Sequence, residues 1–132
     1  MLRINTKTIN VPFETQYKIV QLTHDWCKET LPAPKRRRRK PLCVMVHHSV
    51  IQEYGNYCPR NNWLTINLGV CNNIYDIVST TIHEYVHYIQ DLKNYAKYQR
   101  EVGYDKNPYE VEAREYEMEQ TKKCWEQIKS QI

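Results

Sequence analysis

His83 and His87 stand four residues apart with Glu84 between them, a spacing that on an α-helix stacks both imidazoles on one face, about 6 Å apart along the axis. Both ring nitrogens can then converge on one metal ion, and Glu84, roughly 100° around the helix from His83, can reach a water beside it. Zinc accepts neutral imidazole readily, and a catalytic zinc site takes three protein ligands and leaves a fourth position open to water. The chemistry implied is hydrolysis by a metal-activated water with Glu84 as general base. The plainer alternative is a polar helix face whose histidines only meet solvent.

The neighbouring residues argue for a helix that holds these groups in place. Ile74, Val78, Ile82, Tyr85, Ile89 and Leu92 recur at spacings of three and four, while Asp76, Thr80, His83, His87 and Asp91 mark a separate polar face. The pattern predicts a helix from Asp76 to Lys93, uninterrupted by Gly or Pro, with Asp76 capping or opening it. In the longer pattern HExxHxxGxxH the Gly and final His positions are Gln90 and Lys93 here, so a third ligand is expected downstream. The segment Asn107-Pro108-Tyr109-Glu110-Val111-Glu112-Ala113-Arg114-Glu115 offers several carboxylates. Asn107 suits a helix N-cap and Pro108 a first turn, which predicts a second helix there.

On these residues the chain resembles the gluzincin-like metallopeptidases, in which HExxH on one helix is completed by a glutamate on a later one. The likeness is closest to the small single-domain zincins with a downstream Pro-x-Glu-x-Glu-Ala segment, here Pro108 to Ala113, and spans about residues 42 to 120. The resemblance implies zinc held by His83, His87 and Glu110, three residues before Ala113, with peptide or protein as substrate. Glu112 is the runner-up ligand, and Glu115 and Glu117 stand on the same predicted helix. The Asp or Asn that follows the alanine in the family, and orients a ligand histidine, is Arg114 here, so either another residue orients it or the register differs.

Two short strands precede the HExxH helix. Leu42–Val46 reads as buried, Trp63–Leu68 alternates as if one face were covered, and a further strand lies near Val50 to Tyr57, between turn segments. By the same resemblance, the strand ending in Thr65-Ile66-Asn67 is expected at the sheet edge, where its backbone would pair with extended substrate. Phe13 to Leu31 reads as a helix that backs the sheet and stops at Pro32 and Pro34. His47 and His48 follow the first strand, and at most one of them can face the site. Tyr88, Tyr104 and Tyr109 are candidate phenol donors to a developing oxyanion. The expected architecture is an α+β zincin-like domain over residues 1–132: N-terminal helix, small mixed sheet, HExxH helix and glutamate helix.

Composition sets the remaining bounds. A chain of 132 residues with 41% hydrophobic content is large enough for one core without disulfides. Five cysteines at irregular spacing, none in CxxC, indicate neither a disulfide framework nor a zinc knuckle. Most read as small buried hydrophobes, with Cys58 in an exposed loop. No apolar run approaches a membrane span and the first residues lack a secretory layout, so a cytoplasmic protein is expected. The run Lys35-Arg36-Arg37-Arg38-Arg39-Lys40 accounts for the net charge of +4, since without it 13 basic residues face 15 acidic ones. It reads as a solvated loop, as a contact for polyanions, or as a nuclear import signal in a nucleated cell. The second function class is therefore a non-catalytic module that binds nucleic acid or an acidic protein through residues 35–40.

Overall fold

The computed structural model describes residues 2–34 and 39–132. The first helix, α1 (Phe13–Thr30), buries Ile19, Val20, Thr23, Trp26 and Cys27 on one side. Gln16 pins the turn before it by donating through Nε2 to the carbonyls of Thr8 at 2.9 Å and Val11 at 2.7 Å. The helix ends before Pro32, as the restricted backbone of a residue preceding proline requires.

Three strands follow: β1 (Leu42–Val46), β2 (Gly55–Cys58) and β3 (Trp63–Asn67). Their spatial order is β1-β3-β2, with β3 parallel to β1 and antiparallel to β2. The expectation that the run ending in Thr65-Ile66-Asn67 forms the sheet edge is therefore overturned. β3 hydrogen-bonds on both sides, so its backbone is spent within the sheet, and β1 and β2 are the edge strands, β2 packing against the HExxH helix. Cys58 closes β2 and is half-buried, where an exposed loop was expected.

The HExxH segment lies on α2 (Ile74–Ile89). Asn73 is its N-cap, with Oδ1 accepting from Asp76 N at 2.8 Å, while the Asp76 carboxylate accepts from Asn72 N at 2.8 Å. Asp76 thus braces the turn before the helix and is not its cap. Ile77, Val78, Ile82 and Tyr85 are fully buried, the three aliphatic side chains each worth about 1.5–3 kcal/mol relative to exposure. A short helix absent from the sequence reading, α3 (Tyr95–Val102), comes next, and α4 (Pro108–Ile128) closes the fold with Asn107 at its cap and Pro108 in its first turn, as expected. The upper part of α4 packs on α2; its lower part buries Thr121, Cys124, Trp125 and Ile128 beside α1.

The described residues form a small α+β fold of four α-helices and a three-stranded mixed sheet. All five cysteines are free, and Cys27, Cys71 and Cys124 are buried. None of the described helices is long and apolar enough to cross a membrane. Of the basic run, Lys35 to Arg38 lie outside the described residues. Arg39 and Lys40 are exposed, and the Arg39 carbonyl accepts from Tyr88 Oη at 3.0 Å.

Candidate metal centre

A cleft of about 1070 Å³ opens between β2, α2, α3 and the first turns of α4, and His83, Glu84, His87 and Glu110 all line it. α2 contributes the histidines from its second half, where both are buried, and α4 lays Glu110 across them from its first turn. Glu110 Oε1 is 2.9 Å from His83 Nε2 and 3.1 Å from His87 Nε2. The other Glu110 oxygen, Oε2, accepts from the Tyr95 hydroxyl. Tyr95 thereby leaves one Glu110 oxygen, and only one, facing both rings.

The far nitrogens of the rings show which atoms carry hydrogen. Gln90 Nε2 donates to the Tyr109 carbonyl at 2.9 Å and to Glu112 Oε1 at 2.9 Å. A carbonyl can only accept, so this amide orientation follows from the network and puts Gln90 Oε1 against His87 Nδ1 at 2.7 Å. His87 Nδ1 must then be protonated, and the Nε2 lone pair points at a carboxylate oxygen. Two acceptors cannot face each other at this distance without a positive charge between them, supplied by a proton or by a metal ion. The donor set of two imidazole nitrogens and a carboxylate oxygen, all within 4.8 Å of one another, suits zinc, whose tetrahedral ligands stand roughly 3.4 Å apart.

The electrostatics follow from burial and these contacts. Burial pulls His83 down, but the bonds to Glu110 and Glu117 outweigh it and hold the imidazole up at about 10 when no metal is bound. His87 is raised for the same reason, chiefly through Glu110. Burial pushes Glu110 up, yet hydrogen bonds from His83, His87 and Tyr95 hold it well below the usual carboxylate range. Burial lifts Glu84 to about 7 against the pull of His83 and His87.

The expected third-ligand candidates separate clearly. Glu110 joins the histidines. Glu112, the runner-up, is exposed and bound to Gln90, because it sits two residues around α4 from Glu110 and faces away from the rings. Glu115 is exposed. Glu117 does reach the site, but on the opposite side of His83, with Oε1 at 2.7 Å from Nδ1.

Other candidates fall away from the cluster. His47 lies on the surface with Phe13 and Tyr17, and its Nε2 is 3.1 Å from Tyr17 Oη. The backbone of His48 is held by Asn67. Tyr88 bonds Arg39, and Tyr109 Oη accepts from Asn94 N at 3.3 Å. Tyr104 does line the cleft; burial and the nearby Glu110 and Glu84 raise its phenol to about 12.

Two contributors were missed in the sequence. Tyr95 belongs to a helix that was not predicted. Buried Asn67 holds the loop leading into β2: its Nδ2 faces the carbonyls of His48 at 3.0 Å and Glu53 at 3.1 Å, and its Oδ1 accepts from Gly69 N at 3.1 Å. No family model matches the chain, and comparison with curated proteins and with solved structures finds no match to it.

Proposed function

We propose that this chain is a zincin-like zinc metallopeptidase that hydrolyses peptide bonds in a peptide or protein substrate. The observation that carries the reading is the convergence of His83 Nε2 and His87 Nε2 on a single Glu110 oxygen, at 2.9 and 3.1 Å, on the wall of a cleft that also holds a buried Glu84. His83, His87 and Glu110 would hold the ion. Zinc bound there supplies Lewis acidity, polarising a substrate carbonyl and making a nearby water more acidic.

The remaining work falls to protein groups. Glu84, buried next to His83 on the cleft wall, is placed to take a proton from water and return it to the leaving amine. Tyr104, on the loop after α3, lines the cleft with its phenol protonated at neutral pH and can donate to a developing oxyanion. β2, an edge strand of the sheet, borders the cleft and offers backbone groups to an extended substrate.

The test compares wild type with Glu84→Gln on an unstructured protein substrate, after both are loaded with zinc. The reading expects equal zinc content and a loss of hydrolysis in the variant. Wild type that binds zinc but cleaves nothing, or a variant as active as wild type, would overturn it.

A further inference from the structure

Resting on the zinc reading above, we propose that Glu117 is the positioning residue of His83. Arg114, which follows Ala113, lines the same cleft, but its guanidinium donates to the Asp105 carbonyl. Glu117 instead places Oε1 2.7 Å from His83 Nδ1. A carboxylate only accepts, so it keeps the hydrogen on Nδ1, and a zinc ion that displaces the Nε2 proton would meet that nitrogen's lone pair at the point where His87 and Glu110 converge.

Helix geometry explains how one element does both jobs. Glu117 follows Glu110 by seven residues, nearly two turns, which returns it to within about 20° of the same face. Glu110 therefore meets the near side of the His83 ring and Glu117 its far side, so α4 grips the imidazole between two carboxylates. His87 is oriented differently, by the neutral carbonyl of Gln90 at 2.7 Å. The charge on Glu117 makes the His83 nitrogen the stronger donor of the two.

The Gln90 contact also supplies the graded variant. A glutamine at position 117 can still accept from Nδ1, as Gln90 does for His87, but without the charge; an alanine can do neither. The experiment strips the purified chain with a chelator and measures zinc affinity by competition with a chromophoric chelator, for wild type, Glu117→Gln, Glu117→Ala and the exposed control Glu115→Ala. Folding is followed by circular dichroism, and long-range proton–nitrogen NMR of the zinc-bound protein reads which His83 nitrogen carries hydrogen.

Expected is a loss of roughly 10–100-fold for Glu117→Ala, a smaller loss for Glu117→Gln, no change for Glu115→Ala, and hydrogen on His83 Nδ1 in wild type. Glu117→Ala binding zinc as tightly as wild type, or His83 carrying its hydrogen on Nε2, would overturn the assignment. If the alanine variant does not fold, Glu117→Gln decides: affinity equal to that of Glu115→Ala overturns it. Wild type that fails to bind zinc overturns the metal reading itself, a result distinct from zinc binding that ignores position 117.

Discussion

A methyl group on Gly55 would lie 3.0 Å from Glu84 Cγ, and closer still to Thr80 Cγ2 at 2.8 Å and the Thr65 carbonyl oxygen at 2.9 Å. Glycine here is what lets β2 lie directly over the α2 face that carries Glu84. The side chains could give a little; the β3 carbonyl cannot, because it belongs to the central strand of the sheet. Gly55→Ala is therefore expected to push β2 outward and to lower stability by about 1–3 kcal/mol, the usual cost of overpacking. Thermal unfolding checks this, and an unchanged melting temperature would show that β2 can shift freely.

His24 gives a pH dependence separate from the metal cluster. It is buried beside Tyr85, with ring centroids 5.8 Å apart, and among the described residues its Nε2 has no hydrogen-bond partner. Burial, and then the Lys28 charge, lower it from 6.5 to about 4. The unfolded chain thus binds this proton at higher pH than the folded one does. Stability from the neutral ring is complete above about 6.5 and is lost as pH falls through about 4, by at most about 3 kcal/mol. Denaturant unfolding of His24→Leu beside wild type should show the variant losing less stability across that window. Parallel curves would contradict the assignment.

Zinc binding should be coupled to proton release. In the metal-free cluster His83 is held up at about 10, and His87 is raised, by the carboxylates that face them. At pH 7 the rings therefore carry protons that zinc must displace, so affinity should rise with pH through the neutral range. Calorimetric titrations in buffers of different ionisation enthalpy measure the protons released. Binding with no proton release would mean that the rings are already neutral at pH 7.

Much of this arrangement is legible in local sequence. β1, the start of α4 at Asn107 and Pro108, and the stop of α1 before Pro32 follow from apolar runs and capping chemistry. The strand order does not, because whether β3 or β2 lies outermost is set by pairings between residues far apart in the chain. α3 is harder to read: Tyr95, Tyr98 and Val102 stand at spacings of three and four, but the helix spans only eight residues and none of them is fully buried. Gln90 was noticed only as the absence of a glycine, although its amide settles the His87 tautomer. Glu117 had a readable signal in its seven-residue spacing from Glu110; which histidine nitrogen it would meet depends on how α4 crosses α2.

The central claim is that His83, His87 and Glu110 together hold a zinc ion, and a calorimetric zinc titration of the chelator-stripped chain tests it most directly. Wild type is expected to bind about one zinc per chain. His83→Ala and His87→Ala should abolish binding, and Glu110→Gln should weaken it far more than Glu112→Gln, since Glu112 reaches only Gln90. Wild type that takes up no zinc, or a Glu112→Gln variant impaired more than Glu110→Gln, would contradict the account.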